Sequence, residues 1–252
     1  MSIIVFQHGE MVGPGRLGRI FRDHAARLDI RRLDLPVGGP SRNRHIPPDF
    51  DGVEGVISLG GVQNVSDAGT ESAPWMEEEM EFLKEAHRLQ LPMVGVCLGS
   101  QMLAKALGGE VGPMDGDRCE WGMTEMFQTP VANTETILAG IPWRTVQFSA
   151  HGQEVKMLPP GATLLQSSEA CKVQSWKIGL RTYCFQYHFE CDRAMIDEFL
   201  GEIGEHISCA GLTPEQARQG VAAHYDEFSR LSDRLCNNLA SFLFPIRAAM
   251  SA

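Results

Sequence analysis

Short apolar runs alternate with amphipathic stretches through the first part of the chain. Residues 3–7 form a compact apolar run and predict a first strand, ended by Gln7-His8-Gly9-Glu10. Residues 17–28 carry apolar side chains at helical spacing and predict an amphipathic helix. A second strand is expected over 30–35 and a third over 53–59, the latter running into Gly60-Gly61-Val62-Gln63-Asn64-Val65. Between them, residues 36–51 are rich in proline, glycine and arginine and read as loop. Pro74 opens a helix expected to reach about Gln90, and its Glu77-Glu78-Glu79 run reads as a solvated start that suits the helix dipole. The valine-rich run 91–96 predicts a buried strand that stops at Cys97. Residues 100–107 then form a helix with Leu103, Ala104 and Leu107 on one face.

Strands alternating with helices in this way predict a mainly parallel sheet covered on both faces. Ligands of such sheets bind beyond the carboxyl ends of the strands. Gln7-His8, Gly60-Gly61 and Cys97 all stand at such ends and should share one rim. From 110 to 186 the pattern changes to short runs at 123–129, 145–148, 163–167, 172–178 and 181–187, read as antiparallel additions and the last sheet strands. Helices are expected again over 194–207, after the capping box Thr213-Pro214-Glu215-Gln216, and over 231–244. This divides the chain into an α/β domain over 1–205 and a helical C-terminal extension, 206–252, packed on the same domain.

Composition narrows the function only slightly. A formal net charge of −10 argues against nucleic acid as a partner, since phosphate binding needs a basic face. No apolar run approaches the roughly 20 residues that span a bilayer, and the start, Met1-Ser2-Ile3-Ile4, shows no basic leader region. The seven cysteines are scattered and form no Cys-x-x-Cys pair, which points away from a zinc site or a disulfide framework and towards a reducing cytoplasm. Cys119, Cys171, Cys184, Cys191, Cys209 and Cys236 read as structural thiols. Trp121, Trp143 and Trp176 read as packing residues.

Cys97 is different. It sits between Gly95 and Gly99 at a strand-to-helix junction. Gly-x-Cys-x-Gly is the thiol form of the nucleophile elbow, in which flanking glycines prevent clashes at a sharp turn. A thiol there faces the first free amides of a helix, whose partial positive charge favours thiolate, and the Leu98 amide is placed to donate to an oxyanion. The same spacing also fits a buried, inert cysteine. Near the end of the strand pattern stands Phe185-Gln186-Tyr187-His188-Phe189-Glu190. Residues two apart in an extended segment share a face, so His188 and Glu190 can point together. A histidine beside a thiol takes its proton, and a carboxylate on the other ring nitrogen fixes the tautomer.

Taken together, Gly95-Val96-Cys97-Leu98-Gly99-Ser100-Gln101 and Gln186-Tyr187-His188-Phe189-Glu190 resemble the class I (triad) glutamine amidotransferases, and in particular stand-alone proteins similar to the glutaminase domain of GMP synthase. Gly60-Gly61-Val62-Gln63-Asn64-Val65 resembles the family's oxyanion loop, and Ser149-Ala150-His151-Gly152-Gln153-Glu154-Val155 its pocket loop. The resemblance covers roughly residues 50–192. It implies a three-layer α/β/α, flavodoxin-like fold with a mostly parallel sheet. It also implies Cys97 as nucleophile, His188 as proton shuttle, Glu190 as its orienting carboxylate, Gly61 and Leu98 as oxyanion donors, and Gly60, Gln101, His151 and Gly152 as substrate-binding positions. No metal or organic cofactor is implied.

Three departures stand out. Phe189 replaces the usual proline and could redirect the turn. Val62 replaces a proline and Asn64 a serine in the oxyanion loop. His8, on the expected rim, reads as a loop histidine, the alternative being a substrate contact. The chain holds no synthetase sequence and no Gly-x-x-x-x-Gly-Lys-Ser/Thr phosphate loop. Three readings follow: a glutaminase feeding ammonia to a separate synthetase subunit or hydrolysing glutamine directly, a hydrolase of another γ-glutamyl compound, or a non-catalytic binding protein of the same fold.

Overall fold

The computed structural model describes residues 1–35, 46–202 and 209–245. Parts of three expectations lie outside these residues: the loop over 36–45, the helix end at 203–207, and the extension at 206–208 and 246–252.

Five parallel strands form the core of the molecule: β1 (Ser2–Gln7), β2 (Leu28–Arg32), β3 (Val53–Ser58), β4 (Met93–Val96) and, much later in the chain, β11 (Thr182–Phe185). Between β4 and β11 come β5 (Glu110–Pro113), β6 (Glu120–Gln128), β7 (Arg144–His151), β8 (Gln153–Met157), β9 (Ala162–Ser167) and β10 (Ser175–Ile178). The nine-stranded sheet runs β2-β1-β3-β4-β11-β10-β9-β6-β7, and its last four strands pair antiparallel. The short ribbon β5-β8, too brief and polar to show in the sequence pattern, stands apart.

The three layers follow from the period-two alternation of buried strand residues. Ile3, Val5, Ile57, Val94 and Val96 pack under α1 (Gly15–Asp23) and α5 (Pro214–Asn238). Ile4, Phe6, Val56 and Met93 face the opposite way, under α2 (Met76–Arg88) and α3 (Leu98–Ala106). A smaller cluster joins Phe148 of β7 to Ile196 and Phe199 of α4 (Arg193–Glu202) and to Phe228 of α5. This is the expected α/β/α sandwich.

Several local expectations are corrected. Helix α1 stops at Asp23, because Ala25 adopts φ 60° and Leu28 is drawn into pairing with Ile3. The last two expected helices are one: α5 runs unbroken for 25 residues from its Thr213/Gln216 capping box, because nothing near residue 230 breaks a helix, and a π turn (Leu239–Leu243) follows. Cys119 and Cys209 are joined in a disulfide across a sequence separation of 90 residues. Such a pairing is a product of tertiary folding and leaves no spacing signature.

Closing a loop of that length removes entropy from the unfolded chain, so the bond is expected to contribute up to about 4 kcal/mol. Reductant should lower the melting temperature of the native chain and leave that of Cys119→Ser unchanged. A native melting temperature insensitive to reductant would show that the bond does not form.

Candidate active site

Cys97 lies between the end of β4 and the start of α3 with φ 49° and ψ −108°, one of three non-glycine residues with positive φ among those described. Two glycines make that turn possible. A Cβ on Gly99 would lie 2.1 Å from the Ser58 carbonyl oxygen, and one on Gly95 2.9 Å from the Gly99 backbone. The Cys97 amide donates to the Phe185 carbonyl at 2.8 Å, and its own carbonyl accepts from the Gln101 amide at 3.0 Å. Cys97 is 6% exposed and lines a cavity of about 530 Å³.

The strands beside β4 bring the other groups. Past β11 the chain bends and then turns over residues 186–190, yet its side chains still divide: Phe185, Tyr187 and Phe189 pack edge to face, while Gln186, His188 and Glu190 are bonded towards Cys97 and to one another. His188 Nδ1 pairs with Glu190 Oε1 at 2.7 Å, both side chains almost fully buried. That leaves Nε2 for the Cys97 thiol, with which the ring interacts. Burial disfavours charge on this ring, but the Glu190 carboxylate and the Cys97 sulfur outweigh it and hold the His188 pKa well above the usual histidine range. With Phe189 between them the His188–Glu190 bond still forms, and the Phe189 ring is fully buried, 4.9 Å from Phe185 between centroids. Cys191 is also close to His188, but burial, with the Glu190 charge adding to it, pushes this thiol up to about 12, so it stays protonated.

The end of this segment is held from behind. The Arg16 amide donates to the Glu190 carbonyl at 2.8 Å, and its guanidinium donates to the Cys191 carbonyl at 3.2 Å and to Asp233 of α5 at 2.7 Å. The C-terminal helix is thereby tied to the backbone that carries Glu190.

On the other side of β4, β3 delivers Gly60 and Gly61. A Cβ on Gly60 would lie 2.8 Å from His188 Cε1 and 3.6 Å from Cys97 Cβ, and one on Gly61 would lie 2.7 Å from Leu98 Cδ2. The loop therefore passes directly over the thiol, and only glycine fits. The Leu98 amide, first in α3, has no carbonyl one turn back to bond. The hydrogen bonds of the described residues leave the Gly61 amide unused.

The remaining expected residues reach the same cavity. Gln101 lines it and donates from Nε2 to the Gln153 carbonyl and to Gln186 Oε1, each at 3.1 Å. His151 and Gly152 line it too; both nitrogens of His151 are engaged, with Glu120 and with the Gln153 carbonyl, each at 3.0 Å. Trp121, read as packing, lines the cavity, whereas Trp176 is buried and donates to Ser100.

Three residues escaped the sequence reading. Gln186 donates to Cys97 Sγ at 3.5 Å, and its parity with His188 and Glu190 was the signal available. His8 is 1% exposed and pairs with Glu79, which is itself fully buried, unlike its exposed neighbours Glu77 and Glu78.

Comparisons with known proteins bear on the family and the fold. The family model "Glutamine amidotransferase class-I" matches residues 29–198. The glutamine-hydrolyzing GMP synthase subunit of Methanothermobacter thermautotrophicus is 30% identical over 191 residues, covering 75% of this chain and 88% of that protein. The protein of the same name from Thermococcus kodakarensis is 33% identical over 138 residues, 54% of this chain, and the match spans 66% of its length. For that of Pyrococcus furiosus the match spans 56% of its length. The fold matches a glutamine amidotransferase structure from Thermotoga maritima with a TM-score of 0.78 at 21% identity, over 95% of this chain and 98% of that one. A glutamine amidotransferase structure from Methylobacillus flagellatus matches with 0.77 at 22%, over 96% and 95%. With the matched model covering both the Cys97 turn and the His188–Glu190 segment, the chain belongs to the class-I glutamine amidotransferase family.

Proposed function

We propose that this protein hydrolyses the side-chain amide of glutamine to glutamate and ammonia through a γ-glutamyl thioester on Cys97. The observation that carries this reading is that Cys97 and His188 line one cavity together with Gly61, with His188 Nδ1 held 2.7 Å from Glu190 Oε1. In this account the pair reacts as thiolate and imidazolium, the thiol proton being held on His188, and the Cys97 sulfur attacks the γ-carbonyl carbon. Negative charge develops on the carbonyl oxygen, which the Gly61 and Leu98 amides stabilise. His188, as imidazolium, returns its proton to the nitrogen, which leaves as ammonia when the C–N bond breaks. Water then adds to the thioester with His188 as base, and glutamate leaves as the C–S bond breaks. Gln101, His151 and Gly152 are assigned to the amino-acid end of the substrate.

The relatives named as glutamine-hydrolyzing subunits of GMP synthase support a second step in which ammonia passes to a separate synthetase subunit. No described helix is long and apolar enough to cross a membrane; a cytoplasmic location remains part of this proposal, on the five cysteines that stay free thiols and against the Cys119–Cys209 bond. A second reading has one specific observation in its favour. The cavity volume lies in the range that houses drug-sized ligands, and Met11, Val12, Trp121 and Phe199 give it an apolar wall. An amide with an apolar group on the γ-nitrogen would use that wall as free glutamine does not.

The purified chain should release glutamate and ammonia from L-glutamine, and Cys97→Ala should abolish the release. Faster cleavage of N-alkyl or N-aryl γ-glutamyl amides than of glutamine would establish the second reading. No cleavage of any γ-glutamyl amide, with or without a synthetase, would contradict both.

The raised His188 pKa also has a kinetic consequence. The imidazolium persists through neutral pH and is lost only as pH rises well above the usual histidine range, so the alkaline limb of kcat/KM should lie there. Glu190→Gln removes a negative charge that favours imidazolium. It should move that limb to lower pH and reduce kcat/KM roughly a hundredfold or more. An unmoved limb would mean that Glu190 does not tune His188.

A further inference from the structure

The pair His8–Glu79 lies just behind the oxyanion loop without lining the cavity, so it does not touch substrate. His8 Nε2 is 2.8 Å from Glu79 Oε2, and His8 Nδ1 is 2.9 Å from the carbonyl oxygen of Gly60. The second Glu79 oxygen accepts from Ser58 Oγ at 2.7 Å, and the Trp75 ring stacks on the imidazole with centroids 4.6 Å apart. Both ring nitrogens therefore face acceptors. A neutral imidazole next to an ionised Glu79 would turn a lone pair on one of them, so the pair must hold an additional proton to satisfy both bonds. Burial works against charge on His8, but Glu79 and the Gly60 carbonyl reverse that and raise its pKa. Asp34 also feels the ring's charge.

A buried ion pair is a poor way to stabilise a fold, since well-packed apolar residues do as well or better. Its placement suggests another task. The Gly60 carbonyl and the Gly61 N–H belong to one peptide unit, which is planar and trans, so the two groups point in opposite directions. Pinning the oxygen against His8 turns the N–H away from His8, and Gly60 in the same peptide stands beside the catalytic pair, where an added Cβ would meet His188 Cε1 at 2.8 Å and Cys97 Cβ at 3.6 Å. Two adjacent glycines are free to flip this peptide. The next residue, Val62, is 86% exposed and does not restrain φ as a proline would. A charged donor on the carbonyl also polarises the amide and strengthens its N–H.

We propose that His8, held by Glu79, is a positioning residue that fixes the Gly60–Gly61 peptide so that the Gly61 amide faces the developing oxyanion. The inference rests on the acyl-transfer reading of Cys97 given above, but not on glutamine being the substrate.

The experiment compares two reactions of Cys97. Acylation by p-nitrophenyl acetate passes through an oxyanion, with nitrophenolate leaving as the thioester forms. Alkylation by iodoacetamide displaces iodide at a saturated carbon and forms no oxyanion. Four proteins are measured: the native chain, His8→Leu, His8→Asn, and the double variant His8→Leu/Glu79→Met, which leaves no buried carboxylate unpaired and guards against a folding defect. Acylation should fall about tenfold or more in His8→Leu and in the double variant, while alkylation stays within about twofold. His8→Asn, whose side-chain N–H can stand where Nδ1 stood, should recover most of the acylation rate.

Parallel loss of both reactions would overturn the inference, because His8 would then support the thiol or the fold generally. So would unchanged acylation in the Leu variants, an Asn variant no better than Leu, or a native chain that the ester does not acylate at Cys97. Failure of the glutamine reading looks different: the ester comparison behaves as expected while the native chain releases no glutamate from glutamine.

Discussion

A cysteine backbone at φ 49° and ψ −108° is a conformation that L-residues avoid, at a cost of about 1–3 kcal/mol. The rest of the site depends on its being imposed. Two features impose it. Gly99 presses against the Ser58 backbone so closely that no side chain fits between them, and the Cys97 amide is tied to Phe185 of the neighbouring strand. The turn is thus clamped by β3 on one side and β11 on the other. The sheet order β3-β4-β11 then does the remaining placement. The Gly60–Gly61 loop leaves β3 and passes over the sulfur, and the His188–Glu190 segment leaves β11 and approaches from the opposite side.

The antiparallel half and the C-terminal helix support this arrangement from outside. Phe148 of β7 accepts the His188 amide at 2.8 Å, fixing the height of the ring. Helix α5 reaches the same segment through Arg16, whose guanidinium bridges Asp233 and the Cys191 carbonyl. A helical extension with no evident task in the sequence therefore buttresses the strand end that carries Glu190. Gln186 links the sulfur to Gln101, so the thiol and the wall expected to hold the amino-acid end of the substrate belong to one hydrogen-bonded chain.

Local patterns carried the legible part of the fold and site. Apolar runs marked the parallel strands, their ends marked the rim, and the two-residue spacing pointed to His188 and Glu190 as partners. What local pattern could not carry were contacts between distant residues. Glu79 looks like its neighbours in an acidic helix start, and only the approach of β1 and β3 to α2 reveals it as buried. His8 looks like a loop residue until its partner is known. The Cys119–Cys209 bond and the continuity of α5 were lost for the same reason. The disulfide also removes two of the seven cysteines from the argument for a reducing compartment.

A covalent γ-glutamyl group at Cys97 is the intermediate that the proposed reaction requires. Rapid acid quench of the protein with L-glutamine, followed by peptide mass spectrometry, observes it directly. One γ-glutamyl group on the peptide containing Cys97, absent from His188→Ala and displaced by hydroxylamine, is the predicted result. Release of glutamate with no acyl group on Cys97, or with the group on another cysteine, would contradict it.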